Sequence, residues 1–161
     1  MSDAKPERRR LSFTSLDEVA ADAENLLARG YDKAGNWDLA QVAGHVAEWL
    51  RFPIEGFPKP PIFIRPMLWL MKVTAGKKML AKVLAEGFTP GGHTMPQTVP
   101  PAGGNAAEAV LKLRSAIERW KAHTGEVHPS LLYGAMTKET ALQLQLKHAA
   151  HHLSFLIPKT N

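Results

Sequence analysis

Glycine and proline cut this chain into helix-length pieces, and that punctuation limits the fold more than any other feature. Gly30, Pro53, Gly87, Gly125 and Pro158 each follow a stretch in which apolar residues recur three or four positions apart. The first stretch opens at Ser15, with Glu18 in the capping-box position, and carries Leu16, Val19, Ala20, Ala23, Leu26 and Leu27 on one face. A second helix begins at Asn36 or Trp37, turns Leu39, Val42, Val46 and Trp49 inward, and stops at Pro53. A third runs from Pro66 towards Gly87, with Gly76 weakening its middle. Asn105, with Glu108 three residues on, caps a fourth helix striped by Val110, Leu113, Ile117 and Trp120. Thr137 begins the last, which reads as one helix to Ile157 with Leu142, Leu146, Ala149, Leu153 and Leu156 facing inward. No segment makes a convincing strand.

The expected fold is therefore all-α: a four-helix bundle with an additional helix or irregular insertion between helices. Residues 1–14 read as an extended or loose lead-in, and residues 15–158 as a single helical domain. Two stretches resist a helical reading. Residues 53–65 hold Pro53, Pro58, Pro60 and Pro61, and residues 88–104 hold four prolines and four glycines. The second is long enough to be either the wall of a site or a surface excursion.

The chain has 161 residues, 45% of them hydrophobic, which is enough for a substantial core. It has no cysteine, so disulfides, thiolate catalysis and sulfur-ligated metal sites are excluded together. No apolar run of about 18 residues suggests a membrane span. Met1–Arg10 lacks the apolar core of a secretory signal, and a cytoplasmic location is expected. The formal net charge is +5. It concentrates between Gly56 and Gly104, where Lys59, Arg65, Lys72, Lys77, Lys78 and Lys82 face only Glu86. Such a segment is either a solvated helix face or a cradle for an anionic small molecule. Without a zinc finger, a helix-turn-helix or an aromatic-interleaved basic strand, a nucleic-acid partner is not expected.

The most unusual residues are near the end: Lys147-His148-Ala149-Ala150-His151-His152-Leu153. On a helix, His148 and His152 lie one turn apart on the same side, whereas His151 points about 100° away from His152. An i, i+4 pair can grip a metal ion without completing its coordination. It also suits a helix end enriched in histidine, where the dipole favours positive charge. His45 on the second helix is the candidate third ligand, with a hydrogen-bonded core histidine as the alternative. Glu48, one turn from His45, is placed to orient it or to remain an exposed helix acid. His93 in the long loop is a further candidate, and His123 and His128 read as cap or surface residues. Three imidazoles leave one coordination position open, the arrangement associated with catalytic sites. Zinc, nickel, manganese and iron all suit imidazole ligands. No HExxH, GxSxG or phosphate-binding glycine motif occurs, and Ser154 near His151 makes no triad.

These motifs, in this order, resemble the DinB-like superfamily and, within it, the DUF1569 branch. The matching residues are Arg9-Arg10-Leu11-Ser12-Phe13, Gly35-Asn36-Trp37, Gly44-His45-Val46-Ala47, His128-Pro129 with Leu132-Tyr133-Gly134-Ala135-Met136-Thr137, and Lys147 to Leu156. The resemblance implies a four-helix bundle, often a homodimer, with one divalent metal ion on His45, His148 and His152. Some members transfer low-molecular-weight thiols such as bacillithiol or mycothiol, and others are metal-dependent isomerases. The function so implied is a metal-dependent enzyme activating a small thiol or water, in particular a thiol S-transferase with a small-molecule substrate. The alternative is a non-catalytic metal- or small-ligand-binding module. The sequence departs from the wider pattern at Ala141-Leu142, where relatives often carry tryptophan, and at Leu153-Ser154-Phe155, where Arg-Gly-Gln is common. The metal ligands can be intact while the substrate site has changed.

Overall fold

The computed structural model describes residues 7–92 and 94–160. Six α-helices account for most of them: α1 (Leu16–Arg29), α2 (Leu39–Glu55), α3 (Arg65–Thr74), α4 (Gly76–Glu86), α5 (Ala106–Ala122) and α6 (Lys138–Leu153). A 3-10 turn covers Pro96–Thr98, and two short strands, β1 (Tyr31–Lys33) and β2 (Leu156–Pro158), pair antiparallel. Chemistry at the helix starts follows the sequence closely. Ser15, Asp38, Asn105 and Thr137 each accept a hydrogen bond from the backbone N–H three residues on. Asp38 and Gln41 form a reciprocal capping box, so α2 starts at Leu39, three residues later than Asn36. Glu18 reaches past Ser15 to the N–H and hydroxyl of Thr14, and Glu108 pairs with Lys112.

Helix α2 is the central element. It packs on α5 along its length and also touches α1, α6 and the 3-10 turn, while α1 packs on α5 and α6. The core between them contains Val19, Ala23, Leu26, Leu39, Val42, Val46, Leu50, Leu113, Ile117, Ala149 and Leu153, all at most 1% exposed. Each larger aliphatic side chain so buried contributes about 1.5–3 kcal/mol, and together they set the helix axes that position the histidines.

Four features differ from the sequence reading. First, the last helix ends at Leu153 and does not run to Ile157. Main-chain donors from elsewhere capture the following carbonyls: Arg9 N bonds Ser154 O and Ala34 N bonds Phe155 O, both at 2.8 Å. Leu156–Pro158 then pairs with Tyr31–Lys33, and Pro158 restricts Ile157 to extended backbone. Second, α2 passes through Pro53 to Glu55. The proline removes one helical donor, but its ring is buried, and the helix closes where Gly56 N bonds Phe52 O. Third, the helix expected over 66–87 is two helices that break at Ala75 and Gly76. A Cβ on Gly76 would lie 2.6 Å from the Leu132 carbonyl oxygen, so this position is glycine because two backbones meet there. Fourth, residues 7–14 are anchored, not loose: Arg9 makes a two-bond ion pair with Asp22, at 2.7 Å each, and donates to Leu153 O.

Helix α3 is the outlier. It packs chiefly on α4 and buries no residue fully. Ile62, Phe63, Met67, Trp69, Leu70 and Val73 are all more than half exposed. No helix among the described residues is long and apolar enough to cross a membrane.

Candidate metal centre

Three histidines from two helices, over a hundred residues apart in sequence, meet in the interior. His45 faces α6 from the middle of α2, and His148 and His152 face back from adjacent turns of α6. They are 1%, 7% and 9% exposed. His148 Nε2 lies 3.2 Å from His45 Nε2 and 3.0 Å from His152 Nε2. The three ligand atoms all fall within 4.8 Å of one another, close enough to hold a metal ion. Nitrogens bound at about 2.0–2.1 Å to one tetrahedral ion would sit about 3.3 Å apart, so the observed spacing fits such an ion. Among the described residues no Asp, Glu or fourth His joins the group.

The far side of the His45 ring fixes its tautomer. Nδ1 lies 3.2 Å from the Thr98 carbonyl and 3.0 Å from the Thr98 hydroxyl, which donates to Met95 O at 2.7 Å. A carbonyl only accepts, so the proton resides on Nδ1, and Nε2 presents its lone pair to the other two histidines. This is the arrangement that orients a metal-ligating imidazole. Thr98 reaches His45 because Gly44 leaves room for the 98–101 segment: a Cβ there would be 2.6 Å from Pro100 Cγ. Gln41 Nε2 also donates to Pro100 O at 3.2 Å. His148 Nδ1, by contrast, is enclosed without a partner among the described residues.

Aromatic rings complete the enclosure. Trp37 stacks on His152 with an interplanar angle of 4° and meets His45 edge-on. Trp49 contacts both His45 and His148, and Phe88 meets His148 edge-on at 5.6 Å. Burial in these apolar surroundings holds all three imidazoles neutral. It pushes His45 down to about 4, against the opposing hydrogen bond to the Thr98 carbonyl, and His152 down to about 2, with His45 adding to the effect. His148 is lowered well below the ordinary histidine value, first by burial and then by its histidine neighbours. Neutral imidazole is the form that binds metal.

The other candidates are elsewhere. His151 turns to the outer side of α6, where Nδ1 faces Phe88 O at 3.2 Å. The Glu48 carboxylate pairs with Arg51 at 2.9 Å, and the group against His45 Nδ1 is Thr98. His123 caps α5 and bonds Glu126 O, and His128 packs beside Gly56. His93 lies outside the described residues. Ser154 Oγ donates to His151 O, not to its ring. Of the long loop's two readings, the structure supports the site wall, through Thr98. Thr98 carries no motif that would have revealed its role. Trp37 stood in the Gly35-Asn36-Trp37 motif without any sign that it walls the site, and Phe88 carried no signal.

No curated protein and no solved structure matches the chain significantly. A family model does. The one described as protein of unknown function (DUF1569) matches residues 5–159, almost the whole chain, and the protein belongs to that family.

Proposed function

We propose that this protein is a metal-dependent enzyme of the DinB-like type, in which α1, α2, α5 and α6 form the four-helix bundle. In this reading His45, His148 and His152 hold one divalent ion, and the open position takes a small thiol or water. The observation that carries it is the convergence of three buried, neutral imidazoles with no fourth protein donor among the described residues. An ion held there supplies a Lewis acid that favours the deprotonated form of a bound thiol or water. Thr98 keeps the His45 proton on Nδ1 and so keeps Nε2 available. Trp37, Trp49 and Phe88 limit water around the rings, which strengthens electrostatic interactions at the centre. Among the described residues no carboxylate joins the three histidines to act as general base, so in this reading deprotonation relies on the ion. Low-molecular-weight-thiol S-transfer is the activity this suits best.

The burial of all three rings favours a second reading, a non-catalytic metal-binding module. Cobalt(II) loading separates the two. Cobalt should bind near one ion per chain and be lost in His45→Ala, His148→Ala and His152→Ala. A thiolate-to-cobalt charge-transfer band on adding a small thiol supports the enzyme, and a spectrum indifferent to thiols supports the module. Failure to bind any divalent ion sinks both. We assign the homodimer implied by the family resemblance to the exposed apolar residues between Ile62 and Val73.

A further inference from the structure

Helix α6 has a second polar face. Lys147, Ala150, His151 and Ser154 follow one another at one-turn spacing, rotated away from the metal-facing side of the helix. They floor a cleft of about 310 Å³ whose walls are residues 7–11 and the end of α4 from Glu86 to Phe88. That volume is within the range of small-ligand sites. None of the six cations between Lys59 and Lys82 lines it.

The cations that do line it are Arg8, Arg9, Arg10 and Lys147, with Glu7 and Glu86 as the acids. Arg9 is committed to Asp22, and Glu86 lies 3.9 Å from Lys82. Among the described residues Arg8, Arg10 and Lys147 have no carboxylate partner, and Glu7 alone is left to oppose them. Arg8 is held in place. Its Cζ stands 5.3 Å above the Phe155 ring, and the next residue is tied down by Arg9 N to Ser154 O at 2.8 Å. Yet Arg8 Nη1 is enclosed and finds no acceptor among the described residues. A guanidinium offers five donors in a fixed fork, and an enclosed one without an acceptor is costly. Phe88 is the partition between this cleft and the metal centre: it lines the cleft and places its ring edge-on to His148.

We propose that this cleft binds the oxyanion of a small carboxylate- or phosphate-bearing molecule, with Arg8 as the fork and Lys147 and Arg10 as supporting charges. Anion binding itself stands whether or not the histidines hold an ion. If the metal-dependent reading above also holds, on which this last step rests, the substrate is an acid whose reactive end passes Phe88.

The test is titration of the full-length chain with tricarballylate and, separately, with inorganic phosphate, followed by calorimetry and amide chemical shifts. Binding should perturb Lys147, His151 and Ser154. Arg8→Gln and Lys147→Gln should each weaken it at least tenfold, and Lys72→Gln should leave it unchanged. The tighter of the two probes identifies the source of the oxyanion. His148→Ala, expected to lose metal, should retain anion binding, so failure of the metal reading is seen separately. Lack of binding by both probes, wild-type affinity in Arg8→Gln and Lys147→Gln, or shifts confined to α3 and α4 would overturn the proposal. Lys147 lies on a helix surface, so its variant keeps the test decisive if Arg8→Gln perturbs the lead-in.

Discussion

Acidification should destabilise the metal-free protein before its carboxylates titrate. Burial lowers His45 to about 4 and His152 to about 2, and lowers His148 further than neighbouring charge alone would. The unfolded chain binds these protons near the ordinary histidine value of about 6.5. Each histidine therefore contributes full stability above that value and loses it as pH falls towards its folded value. At pH 5.5 the unfolded state gains RT ln 11 per histidine, about 1.4 kcal/mol, against almost nothing at pH 7.5. Three such groups amount to about 4 kcal/mol, a large part of the 5–15 kcal/mol typical of a whole domain. The assay is urea unfolding of chelator-treated protein at both pH values, with a His45→Gln, His148→Gln, His152→Gln triple variant as control. The wild type should lose about 3–4 kcal/mol between them and the variant much less. A wild-type loss below about 1 kcal/mol, or an equal loss in the variant, would refute the claim that the centre excludes protons by burial. Excess zinc at pH 7.5 should raise the midpoint, because an ion that binds only the folded state stabilises it by mass action.

Thr98→Val removes the hydroxyl but keeps the carbonyl on His45 Nδ1. Metal affinity should fall about tenfold, the low end for an outer-shell partner, as read by competition with a chromogenic chelator; unchanged affinity would remove Thr98 from the site. Gly44→Ala gains about 1 kcal/mol of helix propensity but drives a Cβ to within 2.6 Å of Pro100 Cγ. Overpacking of about 1–3 kcal/mol should outweigh that gain, and thermal unfolding would show a stabilised variant if the contact yields freely. Trp69→Glu with Leu70→Glu places charge on the exposed face of α3. Light scattering should find the wild type dimeric and the variant monomeric; a monomeric wild type would refute the assignment, and a dimeric variant would place the interface elsewhere.

Much of the site was legible because helical spacing is a local property. The i, i+4 relation of His148 and His152, the outward turn of His151 and the apolar stripe beside His45 all follow from 3.6 residues per turn. Glu48 illustrates the limit. It stands one turn from His45, but Arg51 lies within the same reach and carries the opposite charge, so the carboxylate turns outward. The basic segment shows the same dependence on tertiary structure, since none of its cations lines the cleft beside α6. Its cations are close in sequence, whereas the cations of the cleft come from the lead-in and α6.

Capping residues, apolar periodicity and the lack of cysteine were enough to establish a helical chain whose metal chemistry, if any, is imidazole-based. Each depends on neighbours within a turn or on composition alone. The remaining features join segments far apart in the chain. His45 meets His148 across 103 positions and Thr98 across 53. The last helix gives way at Leu153 because Arg9, Ala34 and Tyr31–Lys33 offer the following residues better backbone partners than another helical turn. Arg8 faces His151 because Arg9 is bound to Asp22 and to the end of α6. Such contacts form only when α1, α2, α5 and α6 bury their apolar faces together, so no local pattern of residues could specify them.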